Sequence, residues 1–152
     1  MPAGIGEPVF DKLDANLAKA IMSIGAVKAI EIGDGVKVSQ TYGSENNDAF
    51  YMNDDAVCKK TNHSGGILGG MSDGSPIIMR AHFKPTPSIS KPQNTITNDG
   101  KDTTIEIHGR HDPIIVPRAV VVVESMAAIT ILDLMMDNMT SRMDYLTKFY
   151  CK

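Results

Sequence analysis

The chain has 152 residues, 42% of them apolar and 22% charged, and a formal net charge of −3. That length supports one domain with a core. The charge leaves no bulk basic surface for nucleic acid or anionic lipid, so an anionic ligand must be met by local cations. The two cysteines, Cys58 and Cys151, have no metal-ligand spacing. No metal site and no disulfide framework are therefore expected, and a reducing, cytoplasmic setting is.

The chain opens on Met1-Pro2-Ala3-Gly4-Ile5-Gly6-Glu7-Pro8, a glycine- and proline-rich start that suggests an entry in mid-domain. A helix is predicted from Pro8, with Val9, Leu13, Leu17, Ala20, Ile21 and Ile24 at helical spacing and Gly25 at its C′ position. Ala26 to Ile32 reads as a buried strand, Gly33-Asp34-Gly35 as a turn, and Val36-Lys37-Val38 as the start of another strand. Residues 42–61 are polar and turn-rich and read as a mobile loop with one helical turn. Gly65-Gly66-Ile67-Leu68-Gly69-Gly70-Met71 packs four glycines around two aliphatics. It matches neither a Walker A loop nor a dinucleotide fingerprint, and close strand packing explains it as well as a ligand does.

Pro76 to Phe83 is predicted as a strand leading into Lys84-Pro85-Thr86-Pro87-Ser88-Ile89. The two prolines stiffen that connector. Its lysine, hydroxyls and backbone N–H groups suit a phosphate, although a plain extended connector fits too. Asn98-Asp99-Gly100 marks a hairpin between Thr95-Ile96-Thr97 and Thr104-Ile105-Glu106-Ile107. A long helix follows, with Pro117 in its first turn. It is apolar nearly all round and should be buried on most sides, and its interruption by Glu124 and Asp133 makes it a core helix rather than a membrane span. The β-branched run Val120 to Val123 opposes helix locally, so the first turn could be extended. Residues 139–152 read as a mobile tail with a short amphipathic continuation.

Between the hairpin and the long helix stands Gly109-Arg110-His111-Asp112-Pro113, which sets an arginine, a histidine and a carboxylate at the mouth of an apolar run. From pattern alone it is as readily a helix entry as a site.

Taken together, these motifs resemble the C-terminal part of chorismate synthase. The resemblance is carried by Pro2 to Ala15, Met22 to Lys28, Glu31-Ile32-Gly33, Gly43-Ser44-Glu45, Ser64 to Gly70, Lys84 to Ile89 and Gly109 to Pro113, in matching order and spacing. It implies an α+β fold, with helices packed against antiparallel sheet, and a single partial domain over residues 1–152. It also implies a homotetramer in the full-length family. The reaction it implies is 1,4-anti elimination of phosphate from 5-enolpyruvylshikimate 3-phosphate, with reduced FMN required. NADPH is implied only if this member reduces its own flavin. No nucleic acid or membrane partner is expected.

By the resemblance, Gly25, Ala26 and Gly69 match flavin-contacting positions, and Lys84, Pro85, Thr86, Pro87 and Ser88 match a loop lying along the flavin. Arg110 matches a residue near both flavin and substrate, and Asp112 the carboxylate proposed to relay a proton. A guanidinium can clamp an anion in bidentate fashion, and a carboxylate beside a cation can stay ionised and accept a proton. His111 is expected to be structural. Ile114 and Val121 stand where the family often has cysteine and proline. The family's N-terminal half, with two acid histidines and several arginines, has no counterpart among these residues. An inactive chain is therefore expected, with a non-catalytic, self-associating module that keeps some FMN-contacting surface as the alternative.

Overall fold

The computed structural model describes residues 1–110 and 112–151. It shows three α-helices and four two-stranded antiparallel sheets among them, an α+β architecture.

Helix α1, Leu13–Met22, is the centre of packing. Leu13, Leu17 and Ile21 recur every four residues, lie on one face and are fully excluded from water. That face meets Ile5, Ile67 and two residues of the long helix α2 (Val116–Thr140), Ala127 and Leu134. The helix is shorter than the predicted one. Val9 has φ +74°, Val9–Asp11 forms a separate 3-10 turn, and Lys12 is extended, so helical geometry restarts at Leu13. It ends at Met22, with Ser23 as C-cap, so Gly25 is not the left-handed terminator expected; that backbone conformation falls at Ala26, φ +69°.

Strand β1, Val27–Ile32, pairs antiparallel with β6, Met79–Phe83, opposing Glu31 to Arg80 and Ile32 to Met79. Only Val27 of β1 is buried, so the strand is more open than expected. Gly33 turns the chain where its φ is +58° and where an added Cβ would collide with the His63 carbonyl. The expected strand at Val36 is instead a 3-10 helix, Gly35–Gln40, whose first turn is held by the Val36 N–H donating to Glu31 Oε1 at 3.1 Å.

The polar stretch read as a loop contains the hairpin β2–β3, Phe50–Asn53 with Ala56–Lys59. The glycine-rich stretch is a second hairpin, β4 (Ile67–Leu68) and β5 (Met71–Ser72). Gly69 and Gly70 both have positive φ, as a two-residue hairpin turn requires. The predicted hairpin at Asn98-Asp99-Gly100 is present as β7, Gln93–Ile96, and β8, Asp102–Ile105.

Helix α2, Val116–Thr140, includes Val120 to Val123, so the β-branched run is helical and not extended. Within it only Ala119, Ala127 and Leu134 are buried, whereas Val121, Ile129 and Leu132 are about 60% exposed. The expectation of burial on most sides fails because, among the described residues, α1 covers one stripe and little else reaches the helix. By length and composition α2 could also cross a membrane, a test that soluble core helices pass as well. Helix α3, Met143–Tyr150, follows.

A buried polar cluster ties the hairpins together. Lys59 Nζ, 4% exposed, lies 2.6 Å from Asp73 and 3.3 Å from Asp48, both of which are also shielded from water. Burial tends to raise the pKa of the Asp48 carboxyl. Hydrogen bonds from the Ser64 N–H, the Thr61 hydroxyl, the His63 N–H and the Ser64 hydroxyl outweigh it and hold the group well below the usual carboxylate range. Asp73 is lowered in the same way: burial opposes, and the Lys59 and Ser75 hydrogen bonds prevail.

Two outcomes follow. Leu17→Ala removes a fully buried side chain and should cost about 2–5 kcal/mol in urea denaturation; a loss under about 1 kcal/mol would contradict this account of the core. Because the folded-state pKa values of Asp48 and Asp73 are depressed, their contribution is present above the unfolded carboxylate value of about 3.9. It should be lost progressively as pH falls through that value toward the lowered folded-state pKa values. Denaturation midpoints measured from pH 7 to pH 3 should drop more steeply for the parent chain than for Asp73→Asn.

Candidate functional site

The loop after α1 is where two predicted segments meet. The backbone N–H of Lys84 donates to the Ala26 carbonyl at 2.7 Å. Ala26 presents that carbonyl from a left-handed backbone conformation, unusual for a residue with a Cβ and costing about 1–2 kcal/mol. Gly25 beside it is exposed, and no atom lies within 4 Å of where its Cβ would be.

From Lys84 the chain runs through Pro85, Thr86, Pro87 and Ser88 without regular structure. Two bonds set its course. Gln93 Nε2 donates to the Pro87 carbonyl at 2.9 Å, and the Ser90 hydroxyl donates to the Ile107 carbonyl at 3.2 Å. The second bond closes the base of the β7–β8 hairpin and brings the proline loop beside the segment that leads to Gly109. Gly109 has φ +146°. His111 lies outside the described residues.

Asp112 is half-buried, and its carboxylate is gripped by Arg118 from the first turn of α2, at 2.8 Å (Nη1 to Oδ2) and 3.1 Å (Nη2 to Oδ1). This two-pronged pairing is the fork geometry of guanidinium with carboxylate. The sequence reading paired Asp112 with its neighbour Arg110 and passed over Arg118. The available signal was Pro117-Arg118, since a helix opening at Val116 directs its first turn back toward the preceding loop. Arg110 is exposed.

Ala26, the Lys84–Ser88 loop and the segment approaching Gly109 are thus linked in series, through the Ala26–Lys84 and Ser90–Ile107 bonds, and form one edge. Gly69 is not on it. The Leu13 N–H, at the start of α1, donates to the Gly70 carbonyl at 2.7 Å. Gly25 and Ala26 follow the other end of that 10-residue helix, about 15 Å away at 1.5 Å per residue. Around Gly69 the space is open, as it is around Gly25.

The residues on this edge are exposed or half-buried, so it is a surface with cations at Lys84, Arg110 and Arg118 and a carboxylate at Asp112. The groups could oppose anionic charge, and backbone at Gly25 and Gly69 could approach a planar ring closely. Among the described residues, hollows lie elsewhere, two of them against α2. One of about 450 Å³ sits between α2 and α3, lined by Met136, Met139, Tyr145 and Phe149. Another of about 600 Å³ sits at the α1–α2 crossing, lined by Glu7, Asp11, Asp133 and Asp137. Neither is lined by a predicted site residue.

Comparison with known proteins bears on this surface. The family model for chorismate synthase matches residues 1–136. A protein named chorismate synthase from Agathobacter rectalis is 65% identical over 152 residues, covering all of this chain and 41% of its own. One from Methanococcus maripaludis is 55% identical over 141 residues, covering 91% of this chain and 37% of its own. A crystal structure of a chorismate synthase superposes with TM-score 0.73 and 28% identity, over 97% of this chain and 38% of that one. The chain therefore spans about two fifths of the length of the relatives it matches. The C-terminal placement expected from the sequence is not borne out by these matches.

The geometry at Ala26 yields a prediction. Ala26→Gly removes the backbone strain and should stabilise the chain by about 1 kcal/mol, whereas Ala26→Val should destabilise it by more than that. The measurement is thermal or urea unfolding of both variants. Destabilisation by glycine would show that Ala26 is not strained.

Proposed function

The chain belongs to the chorismate synthase family, and from that premise we propose that it carries one wall of a flavin and substrate site along the edge from Ala26 to Asp112. The observation that carries the reading is the backbone bond between Ala26 and Lys84. It joins two segments that the family resemblance assigns independently to flavin contact. The residues fit such a group on one side only, as an open face with backbone free to approach at Gly25 and Gly69.

In this reading reduced FMN, when bound, supplies electron density as the allylic phosphate leaves. The chain's own part is positional and electrostatic. Gly25, Ala26, Gly69 and the Lys84-Pro85-Thr86-Pro87-Ser88 loop hold the flavin face. Arg110 and Lys84 oppose the anionic charge of 5-enolpyruvylshikimate 3-phosphate. Asp112 moves a proton at its carboxylate oxygens, while Arg118 keeps that carboxylate oriented. The pair is open to solvent, so its worth to stability is under about 1 kcal/mol and its value is orientation.

An open wall binds less tightly than a closed pocket, because it leaves much of the ligand in water. Chorismate formation, assayed anaerobically with reduced FMN and 5-enolpyruvylshikimate 3-phosphate, should be absent with the 152-residue chain. Turnover comparable to a full-length relative would refute the one-wall reading. Titration should show weak FMN binding, reduced about tenfold or more in Arg110→Ala. Equal affinity for parent and variant would remove Arg110 from the site.

A second reading is favoured by the exposed apolar residues of α2: a folded module that self-associates through that helix. Light scattering separates the two. A monomer that binds FMN supports the site reading, and an oligomer that dissociates on Ile129→Glu without binding FMN supports the module.

A further inference from the structure

The Lys59 cluster lies apart from the edge just described and has no part in the chemistry proposed for it. Its geometry is that of a clamp. Lys59 is the last residue of β3, and its ammonium donates to Asp73 Oδ2 at 2.6 Å, Ser64 Oγ at 3.1 Å, Asp48 Oδ2 at 3.3 Å and Asn62 Oδ1 at 3.3 Å. Asp48 in turn accepts from the Ser64 N–H at 3.0 Å and the Ser64 hydroxyl at 2.8 Å, and from the His63 N–H at 2.8 Å.

Ser64 and Asp73 are the two ends of the glycine hairpin. Ser64 enters it just before Gly65, and Asp73 leaves it just after Ser72. The Asp73 N–H closes the hairpin base by donating to the Gly66 carbonyl at 3.0 Å. One buried cation with two buried carboxylates therefore grips both stems of the loop whose tip is Gly69. Two residues per strand give a minimal ladder and four glycines raise its conformational entropy, so the hairpin depends on partners outside it. Ile67 packs in the core, Ser72 bonds to Ile5 and Pro2, and the Gly70 carbonyl accepts from Leu13, while the stems at Ser64 and Asp73 meet Lys59.

We infer that Lys59, Asp48 and Asp73 form a positioning clamp that fixes the Gly69 turn from beneath. Its importance to flavin binding rests on the function proposed above. These three are positioning residues, since they act through the hairpin and do not line the candidate edge. Low exposure makes the grip effective, because a cation shielded from water cannot trade its carboxylate partners for solvent without a large desolvation cost.

The test is hydrogen exchange on the intact chain together with FMN titration. Asp73→Ala removes one jaw and leaves Lys59 paired with Asp48. Exchange of the Ser72 and Asp73 amides should quicken about tenfold or more, while the α2 amides of Ala127 to Ile131 change less than twofold. Unchanged exchange at Ser72 and Asp73, or an equal rise in α2, would overturn the clamp, the latter because it marks a general loss of stability. Lys59→Met should be more disruptive, and the Lys59→Met, Asp73→Ala double variant should recover part of that loss because one stranded carboxylate is gone. Strict additivity would argue against an ion-paired grip.

FMN affinity in Asp73→Ala should fall about tenfold, and equal affinity would overturn the link to binding. If the parent chain binds no FMN, the proposed function fails and the clamp's role in binding fails with it. The exchange rates then decide whether the clamp itself exists.

Discussion

Exclusion of Leu13, Leu17 and Ile21 from water under α2 is the constraint from which the remaining arrangement follows. α1 is short, and its three buried side chains are the largest fully excluded ones among the described residues. Its first N–H holds the glycine hairpin at Gly70. Its last turn leads into Gly25 and Ala26, and Ala26 holds the proline loop. One amphipathic helix thus sets the spacing between the two groups of candidate flavin contacts. Loss of its register against Ala127 and Leu134 would move both.

Around that helix the chain is thinly covered. Its strands pair only two by two, and much of the apolar surface of α2 faces outward. Chorismate synthases that match the chain are more than twice its length. The same openness separates the two kinds of ionic interaction in the chain. Asp112 and Arg118 meet in solvent and give direction more than stability. Lys59, Asp48 and Asp73 meet out of solvent and hold backbone in place.

Local signals in the sequence were legible where one period or one turn decided the outcome. The stripe from Leu13 to Ile21 specified a helix and its buried face. Asn98-Asp99-Gly100 specified a hairpin because glycine supplies the positive φ its last position needs. Gly69 and Gly70 were noticed as close-approach glycines, and the structure gives the reason, a two-residue turn. Val36 to Val38 misled because alternating β-branched residues usually signal a strand. Here Glu31 caps the backbone at Val36 and tips the segment into a 3-10 helix.

What stayed hidden depends on residues distant in sequence. The β2–β3 hairpin lies in a polar stretch with little apolar alternation, and its end at Lys59 is fixed by Asp48 and Asp73, 11 and 14 positions away. Arg118 lies six residues from Asp112, across a helix start, so neither helical nor strand spacing links them. The exposure of α2 could not be read from its composition, because an apolar helix signals a need for cover and not its presence. The central claim is that one edge from Ala26 to Asp112, with Gly69 beyond it, faces the flavin. It is tested most directly by mapping amide chemical-shift changes on the isotopically labelled chain as reduced FMN is added. The account predicts shifts concentrated at Gly25, Ala26, Lys84, Thr86, Ser88, Arg110 and Gly69. Shifts confined to the hollow between α2 and α3, or none at saturating FMN, would contradict it.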